Sequence, residues 1–478
     1  MADQPKNIIV LLLDTVRASD VYGNKALSTM NRLAKSATSY RNAVAPGTWT
    51  APTHAALFTN RRVSQIRQVS RNFLKGGTYK IDPWLVKTKF IGRHSMTMAH
   101  RLQEYGYESI LLSNNPFVTS FTNLGMGFNS VHDIWRESNV KYNKGLASKI
   151  SMVLSGGSAA RAAMMQASYL LTRILPRDTL DKLYLDLRKR LSEGVSKADG
   201  THRLDRGAND TNKILEDYLS YKYNYKPHFL FLNYMEAHEN YPVGRKGMTQ
   251  DKWVYLSGLE EMDDYSMNAL HRGYLRRLKY LDNKVKRTIE ILKERGMLEN
   301  ATVIITSDHG QLFGEHGMLY HSMPPYEGIA KVPLIAANYS NGKLEKIRDS
   351  VENPVSLSSL HDAILNLAVG RFDYLNGNLR RDRYVICEHM GISEGWDEKL
   401  LRMLAPRSRS AAQILKAKQK HNRKVTAVYG NGMKLLHYFG KRKDQLYNTE
   451  KDPSESDNII DANRALALRL ARSLSAHN

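Results

Sequence analysis

The run Asn7-Ile-Ile-Val-Leu-Leu-Leu-Asp14 places six consecutive β-branched or leucine residues directly before a carboxylate. A strand with one face in water alternates apolar and polar residues, and this run does not. It predicts a central strand of a parallel sheet, buried on both faces. It is far shorter than the roughly 18 apolar residues of a membrane-spanning helix, and no other stretch approaches that length. No basic segment precedes it and no small-residue cleavage site follows, so it does not read as a signal peptide. Two further runs behave alike: "PHFLFLNY", with a strand expected from about 228 to 235, and "ATVIIT", which ends just before Asp308. Helical patterns separate them, such as "MTMAHRLQEYGY", closed by Gly106, and a long one ending at Gly296. This alternation predicts an α/β fold with helices on both faces of the sheet.

The chain of 478 residues is long enough for more than one unit. The reading divides it into an α/β domain over 1–375 and a C-terminal α+β subdomain over 376–478. In the second, "RYVICEHM", "KVTAVYGN" and "MKLLHYFG" are strand-like, and Asn431–Gly432 is a hairpin signal between the last two. Residues 140–205 break the rhythm with Ala-, Met- and Leu-rich helical patterns and scattered basic residues. They are expected to form an inserted helical region: a lid, a membrane-surface contact or a dimer face. The single cysteine, Cys387, rules out a disulfide framework and any multi-cysteine metal site. With no leader or spanning segment, the expectation is a cytoplasmic protein, with membrane association open.

The net charge of +23 implies an attraction to anions without naming them. Seven Lys or Arg and no acid lie between Pro406 and Lys424, and thirteen basic against six acidic residues lie between Lys141 and Arg206. An anionic ester, a polyanion or an anionic membrane surface all fit. No zinc finger, RNP-type motif or clear helix-turn-helix points to a specific nucleic-acid contact.

Polar residues at the C-terminal ends of the apolar runs carry the chemical signal, because ligands gather at that edge of open α/β sheets. Asp14, Asp308 with His309, and His238 all stand there. Two carboxylates and an imidazole converging on one edge suit a divalent cation: Ca²⁺, Mg²⁺, Mn²⁺ or Zn²⁺. Elsewhere, "TWTAPTHAALFTN" over 48–60 puts Thr50 beside a helix start, with Pro52 expected as the first helical residue. A hydroxyl there is either an N-cap or a nucleophile.

Four segments in order resemble the sulfatase family, within the alkaline phosphatase superfamily: "NIIVLLLDTVRASDVYGN", "TWTAPTHAALFTNRR", "IITSDHGQLFGEHGMLYH...YEGIAKVPLI" and "QLYNTEKDPSESDNI". The resemblance runs from Asn7 to about Ile460. It implies a mixed sheet sandwiched by helices, with a small C-terminal antiparallel sheet, and one metal held by Asp14, Asp308, His309 and the nucleophile. Calcium is the first expectation, with Mn, Mg or Zn as alternatives. Thr50 stands at the nucleophile position, with Thr53 and His54 where the family has Ser and Arg. Thr15 replaces a frequent second Asp. Asn114 falls where many relatives place a Lys, and with Arg17 is the expected substrate-binding pair. His238 matches a His facing the substrate, and His321 falls beside the leaving group.

The family's usual nucleophile is formylglycine, made from Cys or Ser. Threonine carries a β-methyl, so the same oxidation cannot give an aldehyde, and no formylglycine is expected. A metal-activated Thr50 hydroxyl, with His54 orienting or deprotonating it and His238 or His321 protonating the leaving oxygen, favours a phosphate ester over a sulfate ester. Phosphodiesterase-type relatives with Thr at this position resemble that arrangement. Two alternatives stay open: a phospho-group transferase of the lipoteichoic-acid-synthase type, and a catalytically silent protein that binds a polyanion or membrane. Oligomerisation is also open.

Overall fold

Ile9, Leu11 and Leu13 enter one hydrophobic core, and Ile8, Val10 and Leu12 enter another. The pleat sends alternate side chains to opposite faces, so a strand apolar at every position needs a core on each side. A computed structural model describes residues 5–66, 69–70, 88–137, 204–221, 226–241, 252–258, 261–347, 349–371, 375, 379, 384–391, 409–421, 423–440 and 442–475. The expected inserted region at 140–205 lies outside the described residues except for its last two.

Strand β1 (Asn7–Leu13) is the middle of a ten-stranded sheet. On one side it pairs in parallel with β5 (His228–Tyr234), which pairs with β3 (Glu108–Ser113) and then β4 (Ser130–Asp133). On the other it pairs in parallel with β6 (Asn300–Thr306). Next comes β7 (Lys331–Ser340), antiparallel to both β6 and β2 (Thr38–Val44), which makes the sheet mixed. Register sets the site: Leu12 lies opposite Thr306 and Asn233, and Asn233 opposite Ser113. The loops carrying Asp14, Asp308 and Asn114–Asn115 therefore leave the sheet at one level.

Helices α1 (Ser28–Ser36), α4 (Ala208–Tyr221) and α5 (Asp264–Glu294) bury their apolar residues in the first core. Helices α2 (Thr50–Thr59), α3 (Met98–Glu104) and α6 (Ser359–Ala368) do so in the second. Each fully buried aliphatic side chain contributes about 1.5–3 kcal/mol, so the two faces of β1 alone anchor the sheet strongly.

The C-terminal residues form a separate four-stranded antiparallel sheet: β8 (Val385–His389), β9 (Val425–Gly430), β10 (Met433–Tyr438) and β11 (Gln445–Tyr447). The expected hairpin joins β9 to β10. Asn431 and Gly432 both have positive φ, 54° and 71°, the backbone of a type I′ turn. Helix α7 (Arg464–Ser475) packs Leu470 and Leu474 on Val428, Leu435 and Leu446. Among the described residues, no helix is long and apolar enough to cross a membrane.

Candidate active site

Thr50 is the first residue of α2, two positions before the expected start, and Trp49 occupies the cap position without a side-chain cap bond. Pro52 is the third helical residue, still within the first turn, where a missing N–H costs nothing. The helix is fixed from behind by aromatic packing. His54 meets Phe231 of β5 and Phe58 edge-on, and Trp49 meets Phe90 and Phe117 at 5.8 Å. The Thr50 hydroxyl consequently does not cap. It lies 3.4 Å from Asp14 Oδ2 and 3.4 Å from His309 Nε2, at a helix N-terminus where the backbone dipole favours negative charge.

Asp14, Asp308 and His309 are fully buried and place one donor atom each within 4.8 Å of one another. His309 Nδ1–H donates to the Gly310 carbonyl at 2.9 Å, which leaves Nε2 as a lone pair facing the carboxylates. It stands 3.5 Å from Asp308 Oδ2 and 4.0 Å from Asp14 Oδ1. Those two oxygens accept no hydrogen bond. Burial, with Asp308 alongside, pushes Asp14 up to about 6. Burial pushes Asp308 up to about 7, against the backbone N–H groups of Thr15 and His309 that bond its other oxygen. Unpaired buried carboxylate oxygens are costly. Together with an imidazole whose tautomer is set by a backbone carbonyl, they form a donor set that fits a divalent cation.

Thr15 sits in the left-handed region at φ 62°, unusual for a β-branched residue. Its hydroxyl donates to the Asp14 carbonyl and its N–H to Asp308 Oδ1. It thus orients the two carboxylates where relatives often add a third.

Three expected residues take other places. Asn114 turns away: its Nδ2 donates to Thr211 Oγ1 of α4 at 3.0 Å. The residue that reaches the site is Asn115, whose Nδ2 donates to Asp14 Oδ2 at 2.6 Å and to Thr50 Oγ1 at 3.4 Å. The chain has left β3 at Ser113, and successive side chains in extended backbone point to opposite sides. Arg17 is engaged by Asp20 and Glu315, 3.2 and 2.8 Å away, so its charge is neutralised within the protein. His54 Nδ1–H donates to the Thr50 carbonyl at 2.9 Å, not to its hydroxyl, and Nε2 accepts from Asn233 Nδ2 at 3.0 Å. Burial pushes it down to about 4, so the ring is neutral, and its two nitrogens are engaged by the Thr50 carbonyl and Asn233 rather than by the Thr50 hydroxyl.

His238 and His321 adjoin the centre. The His321 ring lies against His309 at 4.6 Å between centroids, and against His238 at 5.0 Å. Glu239, which the sequence reading passed over, sits between them, 3.2 Å from His238 Nδ1 and 3.4 Å from His321 Nδ1. Its only sequence signal is adjacency to His238.

The model of the family described as Sulfatase matches residues 6–370. The chain belongs to the sulfatase family. It is 26% identical over 202 residues to an arylsulfatase of Clostridium perfringens, covering 40% of this chain and 36% of that protein. The chain spans between 12% and 36% of the length of the curated relatives it matches. A solved putative sulfatase from Bacteroides thetaiotaomicron superposes with a TM-score of 0.63 at 14% identity, covering 99% of this chain and 92% of the other. The phosphonate monoester hydrolase of Agrobacterium radiobacter superposes at 0.61 with 15% identity, covering 98% and 95%. These likenesses show that the chain shares the fold of those two proteins. Members of the sulfatase family are metal-dependent, and the Asp14/Asp308/His309 group is able to hold a metal.

Proposed function

We propose that this sulfatase-family chain is a metal-dependent hydrolase of phosphate or sulfate esters that uses Thr50 as nucleophile, with phosphate esters preferred. One observation carries the reading: the Thr50 hydroxyl, at the N-terminus of α2, lies 3.4 Å from both Asp14 Oδ2 and His309 Nε2. A divalent cation held by Asp14, Asp308 and His309 would lower the pKa of that hydroxyl and neutralise charge on the ester oxygens. Thr50 attacks the central atom of the ester. The first N–H groups of α2, pointing along the helix axis, favour the charge that develops there. Asn115 holds the hydroxyl and Asp14 in fixed relation through one amide nitrogen. His54 keeps the first turn of α2 in place through the Thr50 carbonyl. His238 and His321 are left to face the leaving oxygen. Water then releases the Thr50 ester.

The preference for phosphate follows from the side chain. An aldehyde hydrate cannot form at a carbon bearing a methyl group, so the route taken by formylglycine is closed. The cation is expected to be Ca²⁺ or Mn²⁺, since two carboxylates, a hydroxyl and one imidazole form an oxygen-rich set.

The test compares wild type with Thr50→Ala, each with added Ca²⁺, Mn²⁺, Mg²⁺ or Zn²⁺, on an aryl sulfate, a phosphate monoester and a phosphodiester. Phosphate-ester turnover that vanishes in the variant is expected. Turnover of the aryl sulfate alone would refute the phosphate preference, and full activity of Thr50→Ala would refute the nucleophile.

A further inference from the structure

At the end of α2 opposite Thr50, a cleft of about 550 Å³ opens where α2, α3 and α6 pack together. Arg61 enters it from just past α2, Arg93 and His94 from the loop before α3, Arg101 from α3 and His361 from the first turn of α6. Thr50 is the first residue of α2 and Thr59, which lines the cleft, is the last. At 1.5 Å per residue the cleft therefore begins about 14 Å from the Thr50 end. Its walls are held in place. The Phe90 N–H donates to the Thr122 carbonyl at 3.0 Å, Asn123 Nδ2 donates to the Ile91 carbonyl at 2.9 Å, and the Ser95 N–H closes back on the Gly92 carbonyl at 3.0 Å. Arg93 and His94 are thus the two central residues of a β-turn on a pinned loop. His361 Nδ1 donates to Asp362 Oδ1 at 2.9 Å, and Asn60 Nδ2 donates to the same oxygen at 3.0 Å.

Three guanidinium groups and two imidazoles line this cleft, and among the described residues no carboxylate does. Arg17, Arg62 and Arg287 each pair with a carboxylate elsewhere in the protein. Among the described residues Arg61 and Arg93 pair with none. Arg101 has Glu104 at 3.1 Å, but both side chains are about half exposed, and such a surface pair is worth only about 0–1 kcal/mol. Cations gathered without a counter-charge repel one another, and the net charge of +23 adds to the attraction for an anion. Guanidinium forks match the oxygens of tetrahedral oxyanions two at a time. The cleft falls within the size range of small-molecule sites, about 300–1,000 Å³. A single phosphate or sulfate fills a small part of it and leaves cations unpaired. Forks on three separate chain segments suit a ligand with several anionic groups close together.

We propose that this cleft binds an oligoanion, a small ligand carrying two or more adjacent phosphate or sulfate groups, with Arg61, Arg93 and Arg101 as its anchors and His94 and His361 beside them. The site is separate from the Asp14/Asp308/His309 group and does not depend on the hydrolase reading. Phosphates joined to one another and sulfates carried on a sugar present the same chemistry, and two probes separate these sources.

Isothermal titration calorimetry on the full chain, metal-free and at about 0.15 M salt, tests this with inorganic tripolyphosphate and sucrose octasulfate. One equivalent of at least one probe is expected, held roughly tenfold or more tighter than inorganic phosphate and sulfate, and the probe that binds names the source. Arg61→Gln/Arg93→Gln removes two exposed cations that no carboxylate holds, so it should fold normally and weaken binding by roughly tenfold or more. Lys416→Gln/Lys420→Gln removes the same charge from exposed positions of the helix Arg409–His421 and should change affinity by less than about threefold. Equal losses in the two double variants would reduce the cleft to a diffuse charge effect and overturn the site. So would no binding by wild type, or binding that Arg61→Gln/Arg93→Gln leaves unchanged. Inorganic phosphate or sulfate bound as tightly as the probes would overturn the oligoanion. Hydrogen exchange on wild type locates the ligand without any variant. Protection is expected over residues 90–101, and protection confined to the loops that carry Asp14 and Asp308 would overturn the cleft.

Discussion

Thr50 Oγ1 stands 3.4 Å from His309 Nε2, and the His309 tautomer that makes this contact is fixed by the Gly310 carbonyl. The hydroxyl is thus aimed by the helix start and the lone pair by the backbone. Thr50→Ser keeps the oxygen and loses only a methyl, so its kcat/KM on the preferred ester should fall less than about tenfold, while Thr50→Val, similar in shape but without the oxygen, should lose on the order of a thousandfold. Steady-state kinetics on the two variants decides this. A Thr50→Val protein as active as Thr50→Ser, or more so, would mean that the hydroxyl is not the nucleophile.

Asn115 and Asn114 separate the site from its scaffold. Removing the Asn115 amide frees Asp14 Oδ2 and Thr50 Oγ1 together, so Asn115→Ala should lower kcat by roughly 10–100-fold. Asn114→Ala breaks a buried bond to Thr211 and should cost about 1–3 kcal/mol of stability with kcat nearly unchanged. Urea unfolding and kinetics on the two variants should give opposite patterns.

That pair also marks how far the sequence could be read. The apolar runs of β1, β5 and β6 announced a buried parallel core, and the carboxylates that follow two of them announced the buried Asp14/Asp308/His309 group. Periodicity carries that information because it reports burial on each face. It does not report which of two adjacent asparagines turns inward once a strand has ended, and the family resemblance that points to Asn114 does not resolve that one-residue choice either. Nor does it report partners distant in sequence. Arg17 is taken up by Glu315, and His54 by Asn233, across 298 and 179 residues of sequence. Thr50 was legible as a cap or a nucleophile but not as one of the two, since a helix start two residues earlier is what removes the cap.

Metal affinity should depend on pH in a defined direction. Asp14 and Asp308 are raised to about 6 and about 7 without a cation, mainly by burial. A cation requires both ionised, so affinity should fall as pH drops through 7 and then 6, with protons released on binding. The linkage to stability has the opposite sign in the metal-free protein. There the folded state binds these protons more tightly than the unfolded chain, so stability is fully present below about 4 and declines as pH rises through 6 to 7. Thermal melts in chelator should show Tm falling between pH 5 and 8, and added metal should abolish or reverse that fall. A Tm that rises with pH in chelator would contradict the burial of two unpaired carboxylates.

The C-terminal sheet reaches the site loop through a buried ion cluster. Lys434 of β10 is fully buried, donates to Glu327 Oε1 at 2.9 Å and forms an ion pair with Glu455 Oε1 at 2.7 Å. Tyr429 of β9 donates to the same Glu327 oxygen at 2.7 Å. Glu327 begins the short turn before β7, and Ile329 in that turn accepts from the Gly310 N–H at 2.8 Å, two residues from Asp308. Lys434→Met leaves Glu455 in a dry interface without its Lys434 partner and Glu327 with Lys331 as its remaining cation. It should cost about 3–5 kcal/mol, the usual scale for breaking one partner out of a buried pair. Adding Glu455→Leu removes one stranded charge and should recover part of that loss, although both single changes delete the same ion pair. If the cluster also anchors the site loop, Lys434→Met should weaken metal binding in step with stability, and the double variant should restore both. Urea melts and metal titrations on the two variants measure this. A Lys434→Met protein of wild-type stability would mean that the apolar contacts of Tyr326, Tyr429 and Tyr438 hold the sheet in place alone and the cluster contributes nothing net.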